Sequence, residues 1–65
     1  MNMDQIKGNW KQLSGTLQRE WGELTDDDVA KIEGDQTKLA GILQEKYGIA
    51  KEEAEKRIDE WSSRN

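Results

Sequence analysis

Three consecutive carboxylates, Asp26-Asp27-Asp28, are the residues of this 65-residue chain that most resemble a metal site. On a helix, neighbouring side chains point about 100° apart, so three in a row do not converge on one ion. A calcium loop spaces its ligands, bends at a glycine and closes with a glutamate. None of that pattern surrounds these residues, and they read instead as carboxylates favoured by the positive end of a helix dipole. Nucleophilic chemistry fares no better. The serines are Ser14, Ser62 and Ser63, and the chain has neither histidine nor cysteine to activate them or to act in their place. The glycines recur at seven-residue steps (Gly8, Gly15 and Gly22, then Gly34, Gly41 and Gly48), inside helical segments and not in a phosphate-binding loop. The expectation is a non-enzymatic protein with no catalytic, cofactor-binding or metal residues and no cofactor.

Trp10, Trp21 and Trp61 could stack on bases or rest at a membrane interface, but all three fall on apolar helical stripes and read as core. Trp21-Gly22 and Tyr47-Gly48, each followed by a short turn and a helix, resemble half of a helix-hairpin-helix motif. That motif offers helix N-terminal amides to a phosphate. Here Asp26–Asp28 and Glu52–Glu53 occupy those helix starts, so carboxylates already fill the anion site. The second hairpin glycine is also missing.

The elements that position these residues repeat. Shifted by 26 residues, 8–32 (GNWKQLSGTLQREWGELTDDDVAKI) aligns with 34–58 (GDQTKLAGILQEKYGIAKEEAEKRI), with seven identities in 25 positions. These include Leu13/Leu39, Gly15/Gly41, Leu17/Leu43 and Gly22/Gly48, and Trp21 aligns with Tyr47. A period of this length marks one supersecondary unit used twice, and each unit reads as a helical hairpin. The first helix runs from near Met3 to Trp21, with Met3, Ile6, Trp10, Leu13, Leu17 and Trp21 forming one stripe. Gly22 is expected as its left-handed C-cap. Thr25 is the expected N-cap of the second helix, with Asp28 completing a weaker form of the capping box and Leu24 and Val29 placed for a hydrophobic staple. Val29 and Ile32 face inward, and Gly34 ends this short helix.

The second unit begins with Asp35 as N-cap. Its stripe is Leu39, Ile42, Leu43 and Tyr47, and Gly48 caps its end. The last helix spans Lys51 to about Ser63, with Ala54, Ile58 and Trp61 on one face. Glu52/Lys56, Glu53/Arg57 and Glu60/Arg64 are spaced as i,i+4 pairs on the other. Gly15 and Gly41, matched and mid-helix, each cost about 1 kcal/mol relative to Ala. Such a cost suggests a close crossing of the two long helices.

Composition bounds the rest. Apolar residues make up 32% and charged residues 37%, with a net charge of -4. Residues 23–35 hold six carboxylates against one lysine, and no segment has the basic excess that nucleic acid or anionic membranes require. The N-terminus has no signal-like apolar stretch. The longest apolar run, Leu39 to Leu43, is far short of the ~20 residues of a membrane span. A cytoplasmic location is expected.

The chain resembles the CsbD-like family of small bacterial stress-response proteins. The resemblance rests on Gly8–Leu13, Trp21–Asp28, Ile32–Gly34, Leu39–Gly41, Gln44–Gly48 and Ala54-Glu55, with Trp21–Asp28 the most specific tract. It implies a four-helix domain of two orthogonally packed α-hairpins, similar to the SAM-domain-like fold, and an association with general stress regulons. The family has no established activity, so the resemblance supplies no site residues. Relatives often carry several lysines where this chain has Ser14-Gly15-Thr16-Leu17-Gln18-Arg19, which thins the basic face here.

The reading is therefore one all-α domain over residues 1–65, with hairpin one at about 3–33 and hairpin two at about 35–63. Its expected role is a stress-response accessory protein that binds a macromolecule, with protein favoured over nucleic acid and no membrane partner. The alternatives are a nucleic-acid-binding module and a structural or protective self-associating protein. The expected state is a monomer or weak homo-oligomer.

Overall fold

A computed structural model describes residues 8–64. Among these there are four helices and no strand: α1 (Trp10–Glu20), α2 (Asp26–Ile32), α3 (Gln36–Tyr47) and α4 (Lys51–Arg64). Met3 and Ile6, expected to begin the first stripe, lie outside the described residues.

The apolar stripes do converge on one core. Leu17, Ile32, Leu39, Leu43, Ala54 and Ile58 are wholly removed from solvent, and Leu13, Trp21, Leu24, Ala40 and Trp61 nearly so. Every helix contributes, and Trp10, Val29, Ile42, Tyr47 and Ile49 pack half-buried around them. Trp21 and Trp61 meet edge to face, with centroids 5.4 Å apart and planes at 61°, an arrangement aromatic quadrupoles favour. The most extensive helix pairing is α3 against α4, followed by α2 against α3.

The caps follow the sequence in part. Asp35 Oδ1 accepts the Thr37 and Lys38 amides and starts α3. Gly48 ends α3 in the left-handed region, at φ 63°. At the end of α2 the left-handed turn begins one residue before the expected glycine, with Glu33 at φ 49° and Gly34 at φ 76°.

Gly22 does not behave as expected. The cap of α1 is Trp21, at φ -122°, and the glycine is not left-handed. Trp21 is pinned in the core beside Trp61, and its carbonyl accepts the Leu24 amide at 3.1 Å, so the chain leaves α1 by a turn that needs no positive φ.

The close crossing at Gly15 and Gly41 is also absent. Both are exposed, and a Cβ built on either meets nothing within 4 Å. Of the pairs expected on α4, Glu53–Arg57 forms, at 3.9 Å. Glu52 and Lys56 form no ion pair among the described residues. Arg64 reaches across to the Glu20 carboxylate on α1 and gives its Nε–H to the Glu60 backbone carbonyl instead. Lys51–Glu55, with the base first, is a further pair at 3.9 Å.

Candidate functional site

The densest polar cluster lies where the α1–α2 turn meets the C-terminal end of α3. It grows from a local motif. Thr25 is extended, at φ -93° and ψ 170°, and its hydroxyl accepts the Asp28 amide at 3.1 Å. The Asp28 carboxylate reaches back to accept the Thr25 amide at 2.9 Å, so the capping box is complete. Two of the orphan amides at the start of α2 are thereby satisfied within four residues of chain.

Tertiary structure then adds a second layer. The same Asp28 oxygen that accepts the Thr25 amide lies 2.8 Å from Lys46 Nζ on α3. Lys46 also donates to the Glu23 carbonyl at 3.4 Å, and the neighbouring Tyr47 hydroxyl accepts the Glu23 amide at 3.1 Å. Two consecutive residues of α3 thus hold both backbone polar groups of one turn residue. Tyr47 suits this place because its ring is half-buried against the core while its hydroxyl stays polar. On the other side, Gln18 Nε2 of α1 donates to Asp26 Oδ1 at 3.0 Å.

The electrostatics follow from this geometry. Chiefly through its hydrogen bond from Lys46, and then through the Thr25 amide, Asp28 is held down to about 2. The Lys46 ammonium is pushed up, first by its hydrogen bond to Asp28. Acid–base catalysis works best with a group that titrates near the operating pH. Both of these groups move away from neutrality and stay charged, which is the behaviour of an ion pair that holds structure.

The three aspartates therefore part company. Asp28 is buried at the clasp, Asp26 is exposed on Gln18, and Asp27 is exposed to solvent. No group of three or more acidic, histidine or cysteine side chains that could hold a metal occurs among the described residues. The serines bond to their own helices: Ser14 to the Lys11 carbonyl, and Ser62 and Ser63 both to that of Asp59. Trp21 and Trp61 are core residues and Trp10 is half-buried. No helix among the described residues is long and apolar enough to cross a membrane.

Sequence reasoning placed Thr25 and Asp28 together but left out Glu23, Lys46 and Tyr47. The capping signal is local, whereas Lys46 and Tyr47 lie 18 or more residues away. The available signal was indirect. Trp21–Asp28 and Gln44–Gly48 are two of the tracts that carry the family resemblance, and the clasp is where they touch.

Residues 4–56 match the CsbD-like family. The chain is 49% identical over all 65 residues to UPF0337 protein YjbJ of Salmonella typhimurium, covering 93% of that protein. A UPF0337 protein of Pectobacterium atrosepticum is 52% identical over 61 residues, 94% of this chain and 88% of the relative. One from Bordetella pertussis is 48% identical over 65 residues, covering all of this chain and 98% of the relative. With the match spanning most of the chain and these relatives aligned along nearly their whole length, the chain belongs to the CsbD-like family.

Proposed function

We propose that this protein is a non-enzymatic stress-response accessory protein of the cytoplasm that acts by binding another macromolecule, a protein in preference to nucleic acid. The observation that carries this reading is how the polar side chains are engaged: Asp28 holds the Thr25 amide and Lys46, and Lys46 and Tyr47 hold the Glu23 backbone. The best-organised ionisable pair, Asp28–Lys46, is driven toward permanent charge and is engaged in holding a turn. That favours a structural use of the chain's polar chemistry, with function residing in its surface. The stress assignment rests on the CsbD-like family.

The preference for protein has its own support. The start of α2 is filled by the Asp28 carboxylate and that of α3 by Asp35, and Glu52 and Glu53 sit in the first turn of α4. A phosphate approaching any of these amide clusters meets a carboxylate first.

Photo-crosslinking in stressed cells tests the proposal, with crosslinkers at the exposed positions Glu23, Lys38 and Glu52. One recurrent protein, captured from a consistent position, is the expected result. Recurrent capture of nucleic acid, with affinity falling steeply as salt rises, replaces the protein partner with a phosphate one. A diffuse set of crosslinks in proportion to cellular abundance overturns specific binding in favour of a protective or self-associating role.

A further inference from the structure

Short helices are marginal alone, and α2 has seven residues, well under the roughly 12–15 that an isolated helix needs in water. Its apolar anchorage is Ile32, wholly buried, Val29, half-buried, and Leu24 just upstream, nearly buried. What fixes it is polar and concentrated. Asp28 closes the capping box and meets Lys46 through one carboxylate oxygen, while Lys46 and Tyr47 hold the Glu23 backbone just upstream.

The flanks are built for independence. Downstream, Glu33 and Gly34 are both left-handed, a break in the helical path. Beyond that break, the Asp35 carboxylate caps α3 through the Thr37 and Lys38 amides, and α3 pairs more extensively with α4 than with α2, to which the Asp35 amide still ties it through the Ile32 carbonyl at 2.8 Å. Upstream, Trp21 is anchored to Trp61 on α4.

From this arrangement we propose that Leu24–Ile32 is a latch, which detaches as a unit from a folded α3–α4 hairpin when the Asp28–Lys46 contact is lost. Opening uncovers Leu24 and Ile32, which are 4% and 0% exposed when the latch is closed. Losing either partner weakens more than one tie. Without its charge, Asp28 gives up the ion pair with Lys46 and holds the Thr25 amide only through a neutral oxygen, a weaker acceptor. Without its charge, Lys46 leaves a nearly buried carboxylate facing no cation, which is an unfavourable state.

The charged groups around the clasp are few. Lys46 and Glu45 come from α3, Glu23 from the turn and Asp26 from α2 itself, and α1 contributes the neutral Gln18 amide. Asp28 titrates below its ordinary value in the fold, so its contribution is complete above about 3.8 and fades as pH falls through about 2. Lys46 titrates above its ordinary value, so its contribution is complete below 10.5 and fades as pH rises beyond that. The contact persists across the whole neutral range and is lost in strong acid through Asp28 and in strong base through Lys46.

Residue-resolved amide hydrogen exchange on the full chain at pH 7 tests this, comparing wild type with Asp28→Asn and Lys46→Met. The expected result is that the amides of Val29–Ile32 exchange at least about tenfold faster in both variants, while those in the interiors of α3 and α4 keep their protection. Equal acceleration in all three helices, including outright unfolding of a variant, shows a single cooperative unit and overturns the latch. Unchanged exchange in α2 of either variant overturns it as well.

Discussion

The α1–α2 half and the α3–α4 half share a repeated pattern of residues yet are held by different forces. In the second half a 12-residue helix packs along a 14-residue one, the partners of the most extensive helix contact among the described residues. In the first half α2 is half as long as α4, and it is tied down by a capping box, an ion pair and two hydrogen bonds to a turn. Apolar area stabilises without regard to direction, whereas a clasp works only while each donor faces its acceptor. Two stretches with similar residue patterns can thus yield a packed half and a clasped half. The asymmetry follows from what each copy meets in space: Lys46 has Asp28 opposite it, and the aligned position in the first unit, Glu20, has Arg64.

Substitutions can break or sharpen this contrast. The largest effect is expected at Trp61, which is 1% exposed and is the ring that Trp21 of the first half packs against. Trp61→Ala should cost about 3–5 kcal/mol, enough to unfold much of a domain this small. Thermal melting followed by circular dichroism measures it. A drop below about 1 kcal/mol would mean that the two halves are joined elsewhere.

The matched glycines give a sharper comparison. Gly48 is left-handed at φ 63°, so Gly48→Ala should destabilise by about 1–2 kcal/mol. Gly22 has no positive φ and open space around it, so Gly22→Ala should be close to neutral. Equal losses at the two sites, measured by urea denaturation, would show that both turns use the same left-handed cap after all.

Thr25→Ala removes the hydroxyl that accepts the Asp28 amide and should cost about 1 kcal/mol. The loss should appear as faster amide exchange in α2 before α3 or α4 responds. At the small end, Gly15→Ala and Gly41→Ala should each stabilise, by up to about 1 kcal/mol, because an added methyl meets nothing within 4 Å. A destabilisation of either variant would reveal a close neighbour of that glycine, such as a second copy of the chain, and melting at two protein concentrations separates that case from a purely local effect.

Much was legible before any coordinates. The caps at Thr25, Asp35 and Gly48 depend on residues within a few positions of each other, and a short stretch of chain carries all the needed chemistry. The apolar stripes of α1, α3 and α4 were equally clear, because burial enforces the helical period along each element. Gly22 was misread because its conformation depends on Trp21 being anchored by Trp61, 40 residues further on. Gly15 and Gly41 were misread because propensity registers a cost without saying where neighbouring helices lie. Arg64 was assigned to Glu60 because helical spacing places the two together, but a long side chain at a helix end can equally reach Glu20 on another element.

The sequence by itself determined that the chain is helical, where α2, α3 and α4 start, most of the residues that enter the core and that the chain belongs to the CsbD-like family; α1, expected to start near Met3, starts at Trp10 after Asn9. These depend on local hydrogen bonding, on the 3.6-residue period and on motifs that lie contiguous along the chain. Tertiary structure alone decided that Asp28 is a buried anchor while Asp26 and Asp27 remain exposed, and that Lys46 and Tyr47 grip the Glu23 backbone. The physical reason is that an ion pair or hydrogen bond between distant residues requires their elements to be packed first. The capping position picks out Asp28 among three identical aspartates, and where α3 comes to rest gives it Lys46 as a partner.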